Sequence, residues 1–230
     1  MRNRQNLDRG LGGTALVGVL LAMLLAECVH PAEAAASLEQ YVRMLESSFR
    51  GVRTLRAEFT QSFAWGGRTR LEAGTVYFAR GGLMRWDYRE PKPKLFLASG
   101  KHLILYVPEE KQLTRTPVKS SEDFRVPFQL LLSRLNLRKV FAKIEFADDA
   151  LKAQPGNRVL RAFPKRGTEE GYSEVLMEVT GAFDIRRLVV LYPDRSQMEF
   201  TFQRIERDAP ISPTLFSFVP PPGTEIIEQR

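Results

Sequence analysis

The chain has 230 residues, 34 Lys and Arg against 27 Asp and Glu for a net charge of +7, and only two histidines and one cysteine. Cys28 falls in an N-terminal stretch that reads as a leader, so the remainder is expected to hold no disulfide, no thiolate metal site and no cysteine nucleophile. His102 alone remains outside that stretch, which excludes paired-histidine metal centres and leaves a Ser-His-Asp set without local support.

Residues 1–36 have the make-up of an export signal. Arg2, Arg4 and Arg9 precede an apolar run from Leu11 to Ala26, and Ala34, Ala35 and Ala36 offer small-residue cleavage positions. The run is broken by Gly12, Gly13 and Gly18 and is shorter than the roughly 20 residues a membrane-spanning helix needs. Leu25-Ala26-Glu27-Cys28 faintly matches a lipidation site, but Glu27 stands where a small residue is required. The three acidic residues of the leader balance its three basic ones, so residues 37–230, expected to form a single domain, keep the whole +7. Export argues against nucleic acid as a partner, and the basic residues are spread along the chain as a solvated face would be.

The first element beyond the leader is a helix: Leu38, Tyr41, Val42, Leu45 and Phe49 recur at helical spacing, and Ser37 with Gln40 suits a capping box. Strands follow. Leu55, Ala57, Phe59, Phe63 and Trp65 alternate with polar residues, Gly66-Gly67 turns the chain, and residues 71–80 return as the partner strand. Further strands are expected at 83–89, 94–99, 101–107 and 112–117, joined by short hairpin links. Phe128, Leu131, Leu132 and Leu135 after Pro127 predict a helix, and residues 137–146 a second helical or irregular piece. Strands near 157–164, 172–179, 184–192 and 196–205 come next, then a short strand, a proline stop and a last extended piece within residues 216–227. The pattern predicts a mainly β fold with some α: one long, curved antiparallel sheet of about ten strands whose single apolar face is covered by two or three helices. Such a cover leaves room for an apolar cavity.

Phosphate loops, dinucleotide fingerprints, zinc helices and nucleophile elbows are missing from the sequence, and no metal or cofactor is expected. Asp148-Asp149 and Glu169-Glu170 sit in polar, loop-like segments and read as solvated turns. A binding protein for an apolar ligand is therefore expected, with no catalytic residue. Residues 76–94 raise a particular question. Val76, Phe78 and Arg80 lie on one face, continued by Met84, Trp86 and Tyr88 beyond Gly81-Gly82. Either Arg80 points inward and binds carbonyls of a covering helix or loop, as a latch, or the turn flips the register and Arg80 snorkels outward.

Several stretches, in order, resemble the LolA family of periplasmic lipoprotein carriers: the opening helix with RAEFTQ, the G-x-V-Y-F-x-R strand from Gly74 to Arg80, LMRWDYREP, SGKHLILYVPEEKQ, VPFQLLL and FSFVPPPGTEI. The resemblance implies a half-open, incomplete β-barrel with a lid of helices, and a hydrophobic cavity taking the acyl chains of lipoproteins. It also implies periplasmic localisation, an inner-membrane ABC complex that releases cargo to the carrier, and an outer-membrane acceptor that receives it; a monomer is expected. On this resemblance Arg80 is the lid latch, Met84 lies at the cavity mouth and contacts the releasing complex, and Phe59, Phe63, Val76, Phe78, Trp86 and Tyr88 complete the lipid-binding cavity. Two positions depart from the family: Gly81 stands where proline is frequent, and Met84 where a bulky aromatic is common. Both are compatible with the same roles. Two other readings stay open, a carrier or sensor of another lipid or glycolipid on the same half-barrel, and a secreted hydrolase using His102 or an acidic pair.

Overall fold

The computed structural model describes residues 37–99, 101–117, 136–147, 154–165 and 171–229. The expected leader, the helix near 128–135 and both acidic pairs lie outside the described residues.

Helix α1 (Leu38–Arg50) starts as its sequence predicts. The Gln40 N–H donates to Ser37 Oγ at 3.3 Å and the Ser37 N–H to Gln40 Oε1 at 3.0 Å, so two otherwise orphaned donors are satisfied reciprocally. Tyr41, Val42 and Leu45 are buried on one face, and Gly51 ends the helix. No described helix is long and apolar enough to cross a membrane.

The strands are β1 (Thr54–Trp65), β2 (Arg68–Ala79), β3 (Leu83–Glu90), β4 (Lys94–Ser99), β5 (His102–Val107), β6 (Gln112–Pro117), β7 (Phe141–Phe146), β8 (Arg158–Pro164), β9 (Glu174–Val179), β10 (Ile185–Leu191), β11 (Gln197–Arg207) and β12 (Glu225–Glu228). They form one open curved sheet in the order β12-β6-β5-β4-β3-β2-β1-β11-β10-β9-β8-β7. Every pairing is antiparallel except that of β12 on β6, which is parallel. Gly66 and Gly67, with φ of 50° and 76°, make the two-residue β1–β2 link, which needs positive φ at both positions to match the strand twist. Gly74 on β2 lies so close to the Asp87 carbonyl of β3 that a Cβ has no room.

Register places Leu55, Ala57 and Phe59 of β1 opposite Phe78, Val76 and Gly74 of β2, and Phe78 and Val76 opposite Met84 and Trp86 of β3. These residues share the concave face with Phe96 of β4 and with Phe200 and Phe202 of β11, and α1 packs against them.

Four expectations need correction. Residues 137–146 are one helical turn, α2 (Leu137–Val140), followed by strand β7, the sheet edge beside β8. A bulge between Phe141 and Lys143 spaces Phe141, Ile144 and Phe146 at three and two residues, so the inward positions imitate a helical period. The described residues hold twelve strands, not about ten. The start of the tail is no strand: Ser212 caps a 3₁₀ turn, Pro213–Phe216, with proline at its entry. Nor does the sheet have a single apolar face. On the convex side Leu95, Leu97, Ile104 and Leu113 are buried with Phe216, and Ile211, Leu215 and Phe218 pack around them.

Candidate functional site

The centre of the concave face is aromatic. Trp86 is fully buried and edge-on to Phe59 (4.7 Å between centroids), Phe78 (5.9 Å) and Phe200 (5.4 Å). Val76, Met84 and Tyr88 are buried on the same face, so six of the seven expected cavity residues are in the interior. Phe63 is the exception: it is half-buried near the β1–β2 turn and stacks on Trp65 at 4.9 Å. The aromatic side chains fill the space they were expected to line. A cavity of about 10 Å³ remains beneath the end of α1, bounded by Phe49, Ala57, Phe78, Phe202 and Ile205. That is room for a water molecule at most, so the aromatic centre is packed, whereas a pocket of about 230 Å³ lies beside the start of α1, lined by Leu38, Val42, Phe141 and Ile144 with Arg138 and Lys165.

What covers this core is α1, and its C-terminal end is clipped from two sides. Arg80, just past the end of β2, donates from Nε to the Val52 carbonyl at 3.1 Å and from Nη2 to the Arg50 carbonyl at 2.5 Å. Its own main-chain N–H donates to the Arg53 carbonyl at 3.0 Å. The guanidinium is exposed; it reaches neither into the apolar interior nor freely into solvent, but across the rim to the helix end. The last carbonyls of a helix lack intrahelical partners and carry the negative end of its dipole, so a cation with several donors fits there.

From the other side Arg207, at the end of β11, donates from Nη1 to the Ser48 carbonyl at 3.0 Å, from Nη2 to the Phe183 carbonyl at 2.8 Å and from Nε to Asp184 Oδ1 at 2.8 Å. Its guanidinium also lies 4.7 Å from the Phe49 ring centroid. The sequence reading did not select Arg207. Its strand was expected to stop at 205, and a bulge at Arg204, where φ is 47°, shifts the alternation of β11 by one residue, so that Arg207 and not Glu206 shares the face of Phe202. At the middle of α1, Glu46 Oε1 accepts the Leu137 N–H at 2.9 Å.

A second omission is polar. Gln61 is two residues beyond Phe59, so the period-2 pattern puts it on the concave face, and there it is buried. Its Oε1 accepts from the Tyr88 hydroxyl at 2.8 Å, and its Nε2 donates to Glu72 Oε2 at 3.1 Å. Glu72 Oε1 accepts from Lys94 Nζ at 2.6 Å, and that ammonium sits 4.2 Å from the Tyr88 ring centroid. Burial raises the Tyr88 hydroxyl pKa above its ordinary 10.0, with the Glu72 charge adding to the rise and Arg70 opposing it. This chain of bonds closes the aromatic core at the end away from the arginine clips. Among the described residues no cluster of His, Cys, Asp or Glu could hold a metal ion. His102 is half-buried on β5, as its strand position predicted.

The architecture has relatives. An uncharacterised conserved protein of Thermus thermophilus shares the fold with a TM-score of 0.52, at 12% identity over 84% of this chain and 100% of that one. An outer-membrane lipoprotein carrier protein of Dechloromonas aromatica is 28% identical over 81% of this chain and 86% of its own length. That of Alkalilimnicola ehrlichii is 30% identical over 91% and 93%. The family model described as outer membrane lipoprotein carrier protein LolA matches residues 50–219, from the clipped end of α1 to the segment behind the convex face. The chain belongs to the LolA family.

Proposed function

We propose that this protein is a periplasmic carrier that takes up the acyl chains of lipoproteins released at the inner membrane by an ABC complex and passes them to an outer-membrane acceptor. The observation that carries the reading is a large aromatic surface whose cover, α1, is fastened at its end by exposed arginine–carbonyl bonds. Water can replace such bonds when they open, so the cover is removable at modest cost. Acyl chains then take the place of α1 against Phe59, Phe78, Met84 and Trp86, each buried methylene contributing about 0.8 kcal/mol. Closure of α1 over the emptied face opposes binding and drives release, so loading is set by the difference between two covers. Arg80 is the latch in this scheme, weighting the empty, closed state.

The test is binding of a fluorescent fatty-acid analogue and its displacement by a triacylated lipopeptide. Saturable, displaceable binding supports the carrier. An exported protein that binds neither compound overturns it.

A further inference from the structure

The β1–β2 hairpin extends beyond its neighbour on one side, because β3 pairs with β2 only from Ala73 onward, whereas β2 begins at Arg68; on the other side β11 accompanies β1 as far as Ala64. Two of the large apolar side chains left exposed are on this overhang, one on each of its faces: Leu71, at 67%, on the face of its partner Ser62, and Trp65, at 37%, on the face of Phe63, Arg68 and Arg70. Half-buried Phe63 stacks beneath Trp65, and two glycines form the tip. Arg68 and Arg70 are exposed beside them, and residues 62–71 include no carboxylate. The nearest acids are engaged. Glu72 is held by Lys94 at 2.6 Å, with Arg70 at 3.7 Å from the same oxygen. On the adjoining β10–β11 turn, Asp194 accepts from both the hydroxyl and the main chain of Ser196.

We propose that this hairpin is a membrane-surface contact, docking the protein reversibly on a bilayer that carries anionic phospholipid. An indole at a narrow tip, with a leucine on the reverse face, suits the boundary between headgroups and acyl chains, while arginine stems run along the apolar part and present their guanidinium groups to phosphate. A few apolar side chains with two arginines beside them suffice for a weak, charge-assisted surface contact. Phe63 and Trp65 continue the concave row of Leu55, Ala57 and Phe59, with the Gln61–Glu72–Tyr88 bonds between the buried and the exposed parts. The contact therefore puts the polar-closed end of the core against the bilayer. The inference extends the carrier reading by giving delivery a place, but its test is independent of that reading.

The test is flotation of the exported, processed protein with vesicles of phosphatidylcholine alone or mixed with phosphatidylglycerol. The chain has two tryptophans and Trp86 is already fully buried, so a blue shift in emission on vesicle addition reports Trp65. Flotation and a blue shift are expected with the mixed vesicles. Two arginines at an anionic surface contribute on the order of 30-fold in partition, so R68Q/R70Q should lose about that factor. W65S/L71S, which removes the reporter itself, is read by flotation and should float several-fold less. Equal flotation of wild type and both variants, or binding only to native outer-membrane vesicles that protease shaving abolishes, overturns the proposal, the latter in favour of a protein partner. Fatty-acid binding, measured on the same samples with folding checked by circular dichroism, separates the two readings. Vesicle contact without fatty-acid binding sinks the carrier alone, and the reverse sinks the hairpin contact alone.

Discussion

The two faces of the sheet are covered in different ways. On the convex side the C-terminal segment is woven into the sheet: β12 pairs with β6, the Glu225 and Gln229 N–H groups donate to the Lys111 and Arg115 carbonyls at 2.8 Å each, and Arg85 holds the Leu215 carbonyl at 3.0 Å. On the concave side α1 is held by apolar packing and by side-chain bonds from Arg80, Arg207 and Glu46. A woven cover opens only when the sheet loses strand pairing, whereas a packed and clipped cover can lift while the strands stay paired. The difference fits the proposed carrier, in which one face stays covered while the other opens.

The largest expected effect tests the permanent side. Phe216→Ala, at a buried position on the convex face, should lower global stability by about 3–5 kcal/mol in urea unfolding. Leu45→Ala removes an equally buried side chain from α1, but its cost should appear mainly as faster hydrogen exchange of α1 amides, with a smaller loss of global stability. Equal global losses with unchanged α1 exchange would erase the contrast between the covers.

Next comes the latch. Arg80→Leu should leave urea unfolding nearly unchanged, speed α1 exchange several-fold, and slow transfer of bound lipopeptide to acceptor membranes while uptake persists. Normal transfer by this variant would refute the latch. Arg207→Leu should resemble it in exchange, and because both arginines fasten one helix end, the double variant should show less than the sum of the two effects if either clip alone suffices to open the helix.

The smallest effect is at the polar end. Tyr88 has a raised pKa, so above about pH 10 the unfolded chain loses this proton first while the folded chain keeps it. The stabilisation is complete below that pH and is lost as pH rises through the folded-state value. Tyr88→Phe should therefore flatten the alkaline decline of the melting temperature, at a cost of about 1 kcal/mol near neutrality for the bond to Gln61. A decline as steep as wild type would indicate that Tyr88 ionises freely.

Most of the fold was legible because β1, β3 and the first half of β11 alternate cleanly and α1 has both its cap and its stripe. The β7 bulge hid a strand by changing its period, and the all-buried runs of β4 and β9 gave no clue to which residues met a second layer. The core aromatics of the site were legible for the same reason as the strands. The packed interior was not, since an inward pattern is the same whether side chains meet a cavity or each other. That a carbonyl at a helix end awaited Arg80 could be argued from unpaired donors, while Arg207 depended on a contact across 159 residues of sequence separation that no local pattern reports.

Gly74 acts as the zero mark of a ruler. Because β3 presses against it, β2 cannot slip past its partner without driving a side chain into the Asp87 carbonyl. Arg80 is six residues further along the chain, about 20 Å at the usual strand rise, and a slip of a single residue would also turn every side chain of β2 to the opposite face. The absence of one methyl group thus sets the reach of the guanidinium to the end of α1, and a Gly74→Ala change would mistune the proposed latch from the middle of the strand without touching it.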